Sequence, residues 1–176
     1  MKNLMFYLAA LLFVFTSCEK ETMEPEAMNA QFQMEEDGQK AHLKNVQSFK
    51  AHLSGDQEAP NPVDTEATGQ TNFKLSKDRS MLSYKLIVSN IENVAAAHIH
   101  IGERGKNGPV VVTLYSGLIE GRTSGVLAEG SITDADIKDK SLEELYNIML
   151  AEGAYVNVHT SQNPGGEIRG QISANN

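Results

Sequence analysis

The stretch AYVNVHTSQNPGGEIRGQIS, residues 154–173, decides the fold. Tyr155, Asn157 and His159 alternate with Val156 and Val158. Beyond a turn the alternation resumes, with Ile168 and Ile172 opposing Glu167, Arg169 and Gln171. Successive side chains of a strand point to opposite faces, so each segment has one apolar and one polar face. The Pro and paired Gly of SQNPGG are turn residues. The stretch therefore predicts two strands joined by a tight connection.

The same period of two extends upstream. In AHIHIG, residues 97–102, Ala97, Ile99 and Ile101 lie opposite His98 and His100. The turn RGKNG follows, read as a hairpin turn at Asn107 and Gly108, and then the apolar runs PVVVTLY at 109–115 and GVLAEGSI at 125–132. Further back, MLSYKLIV at 81–88 aligns Leu82, Tyr84, Leu86 and Val88, and KDRS joins it as a hairpin to a strand holding Phe73 and Leu75. Phe49, Ala51 and Leu53 open the series. Short strands punctuated every 8–12 residues predict an all-β domain, an antiparallel Greek-key-like β-sandwich of about seven to nine strands. One helix interrupts it. Thr133 and Asp136 form a variant of the capping box, Ile137, Leu142, Leu145, Ile148 and Met149 supply an apolar stripe, and Gly153 stops it. A break over Lys138–Ser141 separates the first turn from a main helix starting at Ser141.

The N-terminus reads differently. Lys2 precedes an apolar run from Leu4 to Phe15, too short to span a bilayer, and Thr16 and Ser17 lead to the single cysteine, Cys18. FTSC resembles a bacterial lipobox, with Phe15 where Leu is usual; a plain signal peptide ending near Ser17 is the alternative. The expected organisation is a signal peptide over 1–17, a lipidated Cys18 with an acidic tether over 18–45, and a domain over 46–176. Such a chain sits in a bacterial cell envelope, held to the outer membrane by its lipid, on the periplasmic or the outer face. The tether, rich in Glu, Gln and Met, would hold the domain on the order of 30 Å from the membrane. Met23, Met28, Met34 and His42 within it read as incidental to a spacer rather than as copper ligands.

The chain carries a net charge of −8, which loss of Lys2 with the leader takes to −9. Basic residues are spread among more numerous acids, so nucleic acid is not an expected partner. GxSxG, HExxH and glycine-rich phosphate loops are missing, and Ser161 lies in a turn too close to His159 for a nucleophile–base pair. The acids Asp56, Glu58, Asp64 and Glu66 lack EF-hand spacing and read as an acidic loop.

AHLSGDQEAP at 51–60, AHIHIGERGKNGPVVVTLY at 97–115 and GAYVNVHTSQNPGGEIRGQI at 153–172 resemble the CHRD domain, the β-rich module named after chordin, in order and spacing. The resemblance spans about Phe49 to Ile172 and implies an antiparallel β-sandwich. It says little of chemistry.

If the three histidine- and arginine-bearing strands are neighbours, His98, His100, Asn157, His159, Glu167 and Arg169 gather into one polar patch. Two readings compete, the first as the main expectation and the second as its alternative. One is a solvated or internally hydrogen-bonded face, with Arg169 paired to Glu167; the chain is then a membrane-anchored binding or structural module for a protein or glycan. The other is a copper or zinc site of His98, His100 and His159, with Asn157, Glu167 and Arg169 in support, because imidazoles at i and i+2 point the same way and imidazole suits both metals. HIH also resembles the strand of copper/zinc superoxide dismutases, but no histidine-bearing zinc loop follows, and His42 and His52 lie outside the patch.

Overall fold

The computed structural model describes residues 46–175. The expected signal peptide, Cys18 and the tether with Met23, Met28, Met34 and His42 lie outside the described residues. Within them, seven strands and one α-helix follow in the order β1 (Ser48–Ser54), β2 (Thr68–Leu75), β3 (Leu82–Ile101), β4 (Val110–Ile132), α1 (Leu142–Leu150), β5 (Ala154–Thr160), β6 (Ile168–Gln171) and β7 (Ser173–Ala174). All pairings are antiparallel.

The sheet runs β2-β1-β6-β5-β3-β4, and β2 also pairs with β3, so five strands close into a barrel-like ring with β4 flanking β3. This corrects the expected sandwich of two separate sheets. The cause is β3, whose 20 residues include both MLSYKLIV from Leu82 and AAAHIHI. Its first part, Leu82–Ser89, pairs with β2, and its last, Val94–Ile101, pairs with β5. One strand thus pairs with both β2 and β5 and closes the ring.

Bulges let it do so. Asn90 and Asn93 adopt φ 56° and 53°, the left-handed region that Asn tolerates better than most residues. The register against β4 shifts at both places. A bulge inserts a residue and bends the strand. Val88, Ile91, Val94 and Ala97, three apart instead of two, therefore all stay buried. The two runs after Pro109 likewise merge into β4.

The ring encloses Phe49, Phe73, Leu86, Ile91, Ile99, Val156, Val158 and Ile168, and α1 adds Leu142, Leu145, Tyr146 and Met149 to the same core. Each fully buried apolar side chain contributes about 1.5–3 kcal/mol relative to exposure. The ring of Tyr146 meets Phe49 edge-on at 5.6 Å. Helix α1 starts as its sequence dictates: Ser141 Oγ accepts from Glu144 N, and Glu144 accepts from Ser141 N. The separate turn at Asp134–Asp136 is tied by Asp136, which accepts from both the backbone N–H and the hydroxyl of Thr133.

The expected polar face of β5 is not solvated. Tyr155 and Asn157 are 1% and 3% exposed, because the segment after β1 and the β3–β4 connection fold across it. That connection turns at Glu103–Lys106, with Gly105 at φ 75° and Lys106 N donating to Glu103 O, rather than at Asn107 and Gly108 as the sequence suggested.

Candidate metal centre

Antiparallel pairing of β3 with β5 sets Ala96 opposite His159, His98 opposite Asn157 and His100 opposite Tyr155. This register brings three histidines together. Ring centroids lie 5.0 Å apart for His98 and His159, and 5.8 Å for each of the other two pairs. Each ring keeps one buried nitrogen with no hydrogen-bond partner: Nδ1 of His98, Nε2 of His100 and Nε2 of His159. One donor atom from each lies within 4.8 Å of the others, the one such group of His, Cys, Asp or Glu among the described residues. Three nitrogens around a zinc ion at 2.0–2.1 Å stand about 3.4 Å apart. An ion would therefore draw the three rings closer together.

Two rings are oriented from behind. Nδ1 of His100 lies 2.9 Å from Gly108 O, and Nδ1 of His159 lies 3.1 Å from Pro164 O. A carbonyl only accepts, so each Nδ1 carries the proton and each Nε2 keeps its lone pair free for an ion. Burial, then the neighbouring His159 and His100, pushes the pKa of His98 down to about 4. Burial also lowers those of His100 and His159 against the opposite pull of their carbonyls. All three rings are neutral near pH 7, the form that binds metal.

The expected supporting residues do not bond the rings directly. Arg169, 1% exposed, does not pair with Glu167. Its guanidinium lies 3.5 Å from the ring centre of Tyr155 and donates to Glu103 O, Lys106 O and Asn107 Oδ1. The other neighbour of Tyr155 is His100, stacked at 4.8 Å. Glu167 accepts from Thr65, Thr160, Gln162 and Asn163. It precedes β6, next to Gly166 at φ 131°, so strand alternation does not govern its direction. Asn157 donates to Glu58 Oε2 at 3.3 Å. None of the three donates to or accepts from a histidine ring.

Glu58 was read as part of an acidic loop, yet it is buried against Asn157. Asp56, Glu58, Asp64 and Glu66 do not assemble into a donor group among the described residues. The backbone N–H of Ser161 donates to Asn93 O. No helix of the described residues is long and apolar enough to cross a membrane.

Comparison with known proteins matches residues 49–172 to the CHRD domain. Chordin of Xenopus laevis is 32% identical over 119 residues, covering 63% of this chain and 11% of that protein. The chain thus spans a small part of that relative's length. No solved structure gives a significant match.

Proposed function

The chain belongs to the CHRD domain family, and from that premise we propose that its domain is a metal-binding module holding one copper or zinc ion on His98, His100 and His159. The observation that carries this reading is a cluster of three imidazoles offering one ring nitrogen each within 4.8 Å of one another, in rings that each keep a buried nitrogen without a partner. A buried polar atom without a partner costs on the order of 1–3 kcal/mol. One ion relieves all three at once. The donor set contains no thiolate, which favours copper(II) or a zinc site with an open fourth position over a closed structural zinc site.

Titration of the full, metal-free chain with copper(II) and with zinc, followed by heat of binding, tests this. One-to-one binding abolished by both His98→Ala and His159→Ala is expected. Affinity for both metals weaker than ~10 μM, about −7 kcal/mol, would reject the metal centre and leave a protein- or glycan-binding module.

The same proposal includes the anchor. The run ending at Cys18 supports attachment of the chain to a bacterial envelope membrane through lipid on that residue. Cys18→Ser is expected to move the chain from the membrane fraction to the soluble one. Retention in the membrane would refute lipidation there.

A further inference from the structure

Glu167 and Arg169 are two buried charged groups, 4% and 1% exposed, two residues apart in sequence, and neither bonds the histidines or the other. Each holds a different loop. The carboxylate of Glu167 gathers the β5–β6 loop: Thr160 Oγ1 donates to it at 2.6 Å, Gln162 Nε2 at 3.0 Å and Asn163 Nδ2 at 3.1 Å. That loop carries Pro164, whose carbonyl accepts from Nδ1 of His159. The guanidinium of Arg169 gathers the β3–β4 connection through Glu103 O, Lys106 O and Asn107 Oδ1. That connection carries Gly108, whose carbonyl accepts from Nδ1 of His100.

Gly108 itself has little freedom. Its N–H donates to the hydroxyl of Tyr155 at 3.2 Å, and a Cβ there would fall 1.6 Å from Ile101 O. Glycine lets the connection press against β3 closely enough to reach the ring.

We infer that Glu167 and Arg169 are positioning residues for the metal centre, each fixing through its own loop the carbonyl that sets the tautomer of one ligand histidine. The inference rests on the metal reading, and it assigns each charge to one ring: Glu167 to His159, Arg169 to His100. His98 has no such carbonyl behind it and is the ligand free to adjust when an ion enters. The device uses strong, charge-assisted bonds to hold loops that would otherwise let the rings turn. Outer groups that orient ligands are commonly worth about 10- to 100-fold in metal affinity.

The test uses the full chain with Glu167→Gln and Arg169→Lys. Gln keeps the shape of Glu167 but replaces one acceptor by a donor where several donors converge. Lys keeps the charge of Arg169 without the fork that reaches three acceptors. Long-range proton–nitrogen NMR spectra of the imidazoles in metal-free protein report which ring nitrogen bears the proton. The wild type is expected to show Nδ1–H at His100 and His159. E167Q should shift protonation toward Nε2 at His159 alone, R169K at His100 alone, and each should weaken zinc binding about 10- to 100-fold. Unchanged tautomers in folded variants, or equal disturbance of both rings by either change, overturns the inference. If either variant does not fold, Asn163→Ala and Asn107→Ala remove single bonds from the same loops. A shift confined to His159 and His100 respectively then supports it, and no shift overturns it. A wild type that binds neither copper(II) nor zinc while the tautomers follow this pattern would sink the metal reading and leave the loop coupling standing.

Discussion

Glu58 carries a carboxyl group where charge is disfavoured. It is 7% exposed; its Oε2 accepts from Asn157, while its Oε1 and the Oδ1 of Asn157 have no partner. Burial pushes its pKa up to about 7, against the opposing pull of the Asn157 amide and the Arg169 guanidinium. A proton turns one carboxyl oxygen into a donor, and Asn157 Oδ1 offers an acceptor on the amide that Glu58 already holds. The folded pKa lies above the ordinary 4.5, so the folded state keeps a proton that the unfolded chain has released. Its stabilisation is complete below pH 4.5 and is lost as pH rises through about 7, at most about 3 kcal/mol. The histidines act oppositely: their lowered values give stability that is present above 6.5 and lost as pH falls, for His98 toward about 4. Glu58→Gln mimics the protonated acid at every pH. Its stability in urea relative to wild type is expected to rise by on the order of 2 kcal/mol between pH 4.5 and 8; a constant difference would refute the assignment. The histidine trio was legible because alternation in AHIHIG and AYVNVHT fixes which side chains share a face. Glu58 was not, since its burial depends on a loop folding onto a strand 99 residues away.

Strand β3 shows what a period of two hides. MLSYKLIV and AHIHI stand out in the sequence, whereas SNIENV between them has polar residues at Ser89, Asn90, Glu92 and Asn93 and looks like an interruption. It is a strand whose bulges change the period from two to three, so an alternation rule ends the element there. The hairpin from Phe73 to Val88 and the two-part helical segment were readable, because turn and capping residues act locally. Asn93 has the more connected bulge: its Oδ1 accepts from Gly121 N at 2.8 Å, and its carbonyl accepts from Ser161 N. Asn93→Val forces a β-branched residue to positive φ at about 1–2 kcal/mol and removes a bond worth about 1 kcal/mol. Loss of about 2–3 kcal/mol in urea unfolding is therefore expected, whereas Asn93→Gly, which keeps the backbone freedom, should lose less. Equal losses would show that the left-handed backbone is not what Asn supplies.

Closure of the whole barrel depends on its thinnest seam. Strands β2 and β3 share eight register pairs, from Thr68↔Ser89 to Leu75↔Leu82, but β1 meets β6 through the single pair Ser54↔Arg169. No local pattern signals that contact, since its partners are distant in sequence, which is why the strands were legible and the ring was not. At the seam the backbones approach closely: a Cβ on Gly170 would lie 2.4 Å from His52 O and 2.7 Å from His52 C. These are backbone atoms and cannot swing aside. The same short strand carries Arg169 and follows Glu167, so spreading it from β1 also disturbs both loops behind the histidines. Gly170→Ala is expected to destabilise the domain by about 2–4 kcal/mol, lowering its melting temperature by about 6–15 °C. Zinc at a hundred times its dissociation constant stabilises an intact site by about 2.7 kcal/mol. Thermal unfolding with zinc and with chelator separates the two effects. The variant should melt lower under both conditions and gain less from zinc than the wild type does. An undiminished zinc gain would mean that the seam closes the barrel without setting the metal centre, and an unchanged melting temperature would mean that the seam does not limit closure at all.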